Sequence, residues 1–210
     1  MKQHFFFLLF LFSMPILFAQ KWVYQKEAKG VKGYTASSDG IFRLKLVTTI
    51  NGTLTACSGT MADVPNFNKW NTNVISSKIL KKLDTYNFHI YATMDMPWPV
   101  SDRDIVFHST FSQDEKTKIV RYKTVCKPDL HPAQANFTRI KTYTTNIAFI
   151  PLDGKRTQME YIITLSDKDG IPIWVVENLG SSDYFEHIAN FRKLVETTNK
   201  GKVDERVKNF

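Results

Sequence analysis

The strongest constraint on the fold is a run of six strand-like segments followed by one long amphipathic segment. Between residues 73 and 167, stretches rich in β-branched and aromatic residues alternate with turns such as Asp153-Gly154. In one of these stretches Phe88, Ile90 and Met94 fall on the same face of the strand. Strands joined by short turns predict an antiparallel sheet with one apolar face to cover.

The C-terminal segment offers the matching surface. From about residue 173 to residue 199 the apolar positions recur at helical spacing, and Pro172 suits the first turn of a helix. The broad apolar face comprises Trp174, Phe185, Ile188, Phe191, Leu194 and Val195. We therefore expect one long helix packed against the sheet.

The segments before the six strands complete the predicted architecture. Two short strands flank Gly30, and a third covers residues 41–50. The spacing of Leu54, Cys57 and Met61 predicts a short helix. Pro65 should end this helix and begin a second short one. The predicted fold class is α+β. It is a helix-grip fold, in which a curved antiparallel sheet wraps around the long C-terminal helix, with two short helices after the first strands.

The N-terminal residues have the pattern of a secretory signal. Lys2 and His4 precede a short apolar run over residues 5–19, which contains Pro15 and ends on the small residue Ala19. We predict a signal peptide at residues 1–19 and a single domain at residues 20–210. The protein would then be exported, and periplasmic if it comes from a Gram-negative bacterium, otherwise secreted. The alternative is an uncleaved N-terminal anchor.

Charge and cysteine content exclude some classes of partner. The chain carries a formal net charge of +8, but its positive residues are spread along the sequence rather than clustered. This favours a basic surface with a mild attraction to anionic membranes over a nucleic-acid groove. We expect a monomer that makes transient membrane contact and binds no nucleic acid. Cys57 and Cys126 either pair in an oxidising compartment or remain as two buried thiols.

Three segments resemble one known family. The motif "PWPVSDRD" lies between two predicted strands, "DVPNFNKWN" lies before the sheet, and "KRTQMEYIITLSDKDGIPIWVVENL" leads from the last strand into the helix. Together they are similar to a START domain, the steroidogenic-acute-regulatory-related lipid-transfer module. The similarity runs from about Trp22 to Val195, which is nearly the whole predicted domain.

The resemblance implies that a cavity between the sheet and the C-terminal helix binds one lipid or other hydrophobic molecule. It implies binding and carriage rather than chemistry, without a cofactor. The alternative is an enzyme similar to polyketide cyclases and dehydratases of the wider superfamily. Some lipid-carrying START domains have an arginine in the cavity with an acidic partner on the preceding strand. Here Ser109 and the apolar residues 90–92 stand at those positions, so no such ion pair is expected.

The candidate ligand contacts follow from the alternation of each strand and the apolar face of the helix. They are Phe88, Ile90, Met94, Phe107, Ser109, Met159, Tyr161, Ile163, Trp174 and Phe185. Each of the large apolar residues could instead belong to the core, but as a set some of them must border the cavity in this fold. Ser109 and Tyr161 could supply a hydrogen bond that orients the ligand. The sequence contains no recognisable catalytic constellation and no metal-ligand spacing among its histidines.

The motif itself is interpreted as structural. Two prolines restrict the backbone on either side of Trp98, so we expect this side chain to close one end of the sheet. Asp102, Arg103 and Asp104 are expected to form local ion pairs and hydrogen bonds to turn amides.

Overall fold

The computed structural model describes residues 22–38, 41–96, 98, 100–166 and 183–208. Within those ranges the chain forms a ten-stranded sheet, one short α-helix, two short 3-10 helices and one longer C-terminal helix. None of the helices in these ranges has the length and apolar content needed to cross a bilayer. The predicted signal peptide, Trp174 and the first part of the predicted C-terminal helix lie outside the described residues.

The sheet contains the strands that alternation predicts, together with one very short strand. In chain order they are β1 (Val23–Ala28), β2 (Val31–Ser38), β3 (Ile41–Ile50), β4 (Val74–Lys82), β5 (Asn87–Met94), β6 (Arg103–Gln113), β7 (Val120–Cys126), β8 (Thr138–Arg139), β9 (Thr144–Pro151) and β10 (Thr157–Ser166). Their order in space is β1-β2-β3-β10-β9-β7-β6-β5-β4, and β8 pairs with β6. All neighbours along the main path are antiparallel, whereas β8 is parallel to β6. The predicted antiparallel sheet is confirmed.

Two helical segments lie between β3 and β4. Helix α1 (Leu54–Ala62) begins after Thr53, whose hydroxyl accepts a hydrogen bond from the amide of Ala56 at 3.2 Å. A 3-10 helix (Val64–Lys69) follows it, with a proline in its first turn. A further 3-10 turn (Pro128–Leu130) follows β7.

The C-terminal helix α2 (Asp183–Thr197) packs against the sheet through the apolar residues that its periodicity places on one face. The Phe191 ring stacks on Phe149 of β9 at 5.8 Å and meets Trp70 edge-on at 5.4 Å. The close approach depends on Gly33 in β2, where an added Cβ would lie 2.3 Å from the ring of Phe185. A larger residue at this position would therefore displace the Phe185 ring.

The chain continues past α2 and folds back over α1. Asp204 is 7% exposed and accepts hydrogen bonds from Ser58 of α1 at 2.5 Å and from Arg206 at 2.8 and 2.9 Å. Arg206 also donates to the hydroxyl of Tyr122 at 2.8 Å and lies 4.2 Å from the ring centre of Phe111. We refer to residues 200–208 as the C-terminal tail. This network joins the tail to α1, β6 and β7.

The structure changes the interpretation of the proline-rich motif. Trp98 is 93% exposed, so the prediction that it closes the end of the sheet is wrong. Asp104 is fully buried, and its ion pair is formed not with Arg103 but with Arg139 of β8, which donates to both carboxylate oxygens at 2.7 and 2.8 Å. Asp102 accepts a hydrogen bond from the amide of Met96, as expected for a residue that stabilises a turn. The local sequence could not reveal Arg139 because β8 is distant in the chain.

Cys57 and Cys126 are both buried, and no disulfide joins them. Burial raises the pKa of the Cys57 thiol to about 12, so this side chain is protonated and unreactive at neutral pH. Of the two alternatives left open by the sequence, the structure shows two buried thiols.

Candidate ligand-binding cavity

A cavity of about 520 Å³ lies against the concave face of strands β5, β6, β7, β9 and β10. Residues of α1, of the 3-10 helix Val64–Lys69 and of the C-terminal tail form the opposite wall. No described residue of α2 lines it. The expectation of a cavity between the sheet and the C-terminal helix is therefore corrected for residues 183–197, which cover a neighbouring part of the sheet.

Six of the ten predicted contact residues lie in the cavity wall. They are Phe88, Ile90 and Met94 of β5, Phe107 and Ser109 of β6, and Tyr161 of β10. Cross-strand pairing brings them together, since Ile90 pairs with Phe107 and Phe88 pairs with Ser109. Neither β5 nor β6 contributes a charged side chain to the wall, so the buried ion pair of some START domains is not formed there.

Three further candidates lie in the packed core instead of the cavity wall. Met159 is 0% exposed, Ile163 is 1% exposed, and both belong to the cluster that packs beneath α2. Phe185 projects from α2 onto Gly33. Alternation correctly places Met159 and Ile163 on the concave face. It cannot tell which part of that face α2 covers, because this depends on contacts between distant segments.

Sequence reasoning missed the wall opposite the sheet. The cavity is lined by Met61 of α1, by Val64 and Phe67 of the 3-10 helix, and by Trp70 directly after that helix. Their helical spacing predicts short helices but does not show that these helices face a cavity. The tail residues 202–206 also line the cavity, and nothing in the local sequence indicates that they do.

The sheet wall is apolar except for a group of uncharged hydroxyls. Ser109, Thr124 and Thr145 line the cavity together with Tyr143 and Tyr161, whose hydroxyl oxygens are 3.4 Å apart. Burial raises the pKa of both tyrosines, so both are protonated hydrogen-bond donors at neutral pH. The part of the wall formed by β5, β6, β7, β9 and β10 therefore offers neutral donors and acceptors and no charge.

Charged residues occur at the other side of the cavity and are mostly paired. Lys202 forms an ion pair with Asp63, and Arg206 pairs with Asp204. Although burial opposes the shift, hydrogen bonds from Arg206 and Ser58 hold the pKa of Asp204 below its ordinary value. Asp204 is therefore ionised at neutral pH and its charge is balanced by Arg206, which makes it a poor general acid.

The exposed lining residues mark the mouth of the cavity. Ile79 of β4 is 43% exposed and Val203 of the tail is 67% exposed, while Lys82 and Glu205 are also exposed. The opening thus lies between the edge strand β4 and the C-terminal tail. No group of three or more metal-ligating side chains occurs in the described part of the chain.

A curved antiparallel sheet with a C-terminal helix across it and an apolar cavity on its concave face defines a helix-grip domain. The family model of the START domain matches residues 14–201, and the chain belongs to this family. The resemblance noted in the sequence is thereby confirmed.

Individual proteins are similar over most of the chain. An uncharacterized protein of Pseudomonas aeruginosa is 25% identical over 162 residues, covering 76% of this chain and 79% of that protein. A STAR-related lipid transfer protein fragment of Xanthomonas axonopodis has the same fold with a TM-score of 0.73, 22% identity, and coverage of 83% of this chain and 98% of that chain. The Zhui aromatase/cyclase of Streptomyces is more distant, with a TM-score of 0.51, 13% identity, and coverage of 78% and 99%.

Proposed function

We propose that this protein binds one lipid or other hydrophobic small molecule in its cavity and carries it. The observation that supports binding is the cavity itself, which has a mainly apolar wall and a volume of about 520 Å³. Sites for small molecules commonly have about 300–1,000 Å³ and an apolar lining with a few polar groups. Membership of the START family and the fold of a lipid transfer protein agree with this function.

The binding proposal is tested by filling the cavity. Ala92 of β5 is 3% exposed and lines the cavity, so Ala92→Phe places a ring in the space of the ligand. We expect this variant to lose uptake of the apolar dye N-phenylnaphthylamine. The matched control is Lys123→Phe, which adds the same ring on the exposed face of β7 and should bind the dye normally. Equal dye binding by both folded variants would contradict the proposal.

Carriage requires exchange with a membrane, and the mouth of the cavity has suitable chemistry. The apolar Ile79 and Val203 are exposed there beside Lys82. Exposed apolar side chains next to lysines favour contact with an anionic lipid surface. We propose that the mouth docks transiently on such a surface, although Glu205 at the rim weakens the attraction.

A vesicle assay separates carriage from binding. Val203→Asp should slow transfer of a fluorescent lipid between anionic vesicles by more than any change in its equilibrium affinity explains. Leu152→Asp is the matched control, because Leu152 is 46% exposed in the β9–β10 turn and does not line the cavity. Unchanged transfer by the Val203 variant would contradict docking at the mouth.

Binding without chemical conversion is favoured over the cyclase alternative. The cavity tyrosines have raised pKa values and are poor bases, and Asp204 is balanced by Arg206. Native mass spectrometry of protein purified from its own host tests this directly. A retained ligand whose mass is unchanged on incubation supports a carrier, whereas conversion of the ligand would support an enzyme.

Export remains part of the proposal. The apolar run over residues 5–19 supports a cleaved signal peptide, so the mature chain should begin at Gln20 or Lys21. N-terminal sequencing of the exported protein checks this prediction. An intact Met1 in the membrane fraction would indicate an anchor instead.

A further inference from the structure

Three hydroxyl side chains form a straight row across the sheet wall of the cavity. Ser109 of β6 pairs with Thr124 of β7, and Thr124 pairs in turn with Thr145 of β9. Adjacent strands lie about 4.8 Å apart, so the row extends over roughly 10 Å. The three side chains line the cavity at the same level along the strands. We call these residues the hydroxyl row.

The row is buried and lacks internal partners. Ser109, Thr124 and Thr145 are 8%, 7% and 3% exposed. None of the side-chain hydrogen bonds among the described residues involves any of the three hydroxyls, whereas the neighbouring Thr110 bonds to Asn87 on the opposite face of β6. Buried polar groups are normally hydrogen-bonded, so three adjacent hydroxyls without protein partners need partners from the cavity contents. Water can supply them when the cavity has no ligand.

The surroundings of the row define the charge of a matching ligand group. Every lining residue contributed by β5, β6, β7, β9 and β10 is uncharged. Tyr143 and Tyr161 add two further neutral hydroxyls. A carboxylate or phosphate placed here would lose its hydration without meeting a cation, which is strongly unfavourable. A neutral oxygen can accept or donate hydrogen bonds without that cost.

The charged residues of the cavity lie outside this region. Asp63, Lys82, Lys202, Asp204, Glu205 and Arg206 come from the edge strand, the segment after α1 and the tail. Tyr122 precedes Thr124 by two residues on β7 and therefore lies on the same face of the strand. Its hydroxyl is hydrogen-bonded to Ser58 and Arg206. It therefore lies between the row and the Asp204–Arg206 pair.

We propose that the hydroxyl row is the polar subsite of the cavity and selects a neutral amphiphile, whose alcohol, ester or ketone oxygen bonds to Ser109, Thr124 and Thr145. This inference rests on the proposed function, because it names the class of ligand that the cavity binds. The hydrocarbon part of the ligand occupies the apolar wall formed by residues such as Ile90, Phe107 and Ile147.

The test compares ligands that share one alkyl chain and differ in the polar group. Dodecanol, dodecyl acetate, dodecane and dodecanoate compete with N-phenylnaphthylamine for the full-length protein. We expect dodecanol and dodecyl acetate to bind about tenfold more tightly than dodecane, since each net hydrogen bond contributes a factor of about 2–12. Dodecanoate at pH 8 should bind more weakly than the alcohol.

Variants that remove only the hydroxyls assign this preference to the row. The triple variant Ser109→Ala, Thr124→Val, Thr145→Val should still bind dodecane and should lose the preference for dodecanol over dodecane. The control Thr110→Val, which removes a hydroxyl from the outer face of β6, should keep the preference. Dodecane binding and an unchanged unfolding midpoint show that the triple variant is folded. If the triple variant does not fold, the same comparison of dodecanol with dodecane is made with the three single variants.

The outcomes separate the two proposals. Equal affinity of the wild type for dodecane, dodecanol and dodecyl acetate would overturn the hydroxyl row and leave hydrophobic binding intact. Retention of the preference in the triple variant, or tighter binding of dodecanoate than of dodecanol, would overturn it as well. Failure of the wild type to bind the dye or any of the compounds would overturn the proposed function itself, and this inference with it.

Discussion

The buried His187 should make the stability of the protein fall as the pH decreases below 7. His187 lies on α2 with 3% of its surface exposed, and its Nε2 is 3.1 Å from the hydroxyl of Thr72. Its Nδ1 is buried without a partner among the described residues. Burial lowers the pKa of the imidazole from 6.5 to about 4, against the opposing effect of Asp183 and Glu186.

The sign and size of the effect follow from proton linkage. Between pH 6.5 and pH 4 the unfolded chain binds a proton at His187 that the folded chain does not, so the stability contribution is present above pH 6.5 and is lost as the pH falls through this window. At 1.36 kcal/mol per pKa unit, the free energy of unfolding should decrease by about 2 kcal/mol between pH 7 and pH 4.5 from this group alone. Carboxylates with lowered pKa values, such as Asp204, act below this range.

Urea denaturation at several pH values from 7 to 4.5 measures the effect. The glutamine of His187→Gln cannot ionise. The free energy of unfolding of this variant should therefore fall by about 2 kcal/mol less than that of the wild type over this pH range. His89→Gln is the comparison variant. Burial and the nearby His108 and Lys81 also lower the pKa of this half-buried imidazole, so the variant should lose a smaller part of the decrease than His187→Gln does. A decrease in His187→Gln equal to that of the wild type, or a native-state NMR pKa of His187 above 6, would refute the reasoning.

Two further perturbations test the core and the tail by chemical denaturation. Phe149→Ala should cost about 3–5 kcal/mol because the ring is fully buried against Phe191. Trp98→Ala should change the free energy of unfolding by less than about 0.5 kcal/mol because the indole is 93% exposed. Similar losses for the two variants would contradict the packing described. Asp204→Ala should cost about 3–5 kcal/mol because it leaves Arg206 partly buried without its partner. Asp153→Ala breaks an exposed ion pair and should have a much smaller effect. Equal effects of the two variants would show that the tail is not anchored by this network.

Much of the architecture follows from local patterns in the sequence. Period-two alternation identifies the long strands because successive side chains of a strand point to opposite faces. The same reasoning places Phe88, Ile90 and Phe107 on the face that lines the cavity. The apolar spacing after residue 183 identifies α2, whose described part ends at Thr197.

The cavity was only partly predictable because its boundary depends on which element covers each part of the sheet. Met159 and Tyr161 are on the same face of β10, yet Met159 lies in the packed core and Tyr161 lines the cavity. The difference arises where α2 contacts the sheet over Gly33 and where the tail and the segment after α1 stand away from it. No pattern within β10 contains that information.

The sequence by itself determined the type and order of the main elements, the antiparallel sheet and the START family. These properties depend on local periodicity and on short motifs, and both are contained in consecutive residues of the sequence. Only the tertiary structure decided that Asp104 pairs with Arg139, that Trp98 is exposed and that the hydroxyls of Ser109 and Thr124 meet in one row. Each of these depends on the registration of segments that are distant in sequence, and such contacts are fixed by packing the whole chain at once.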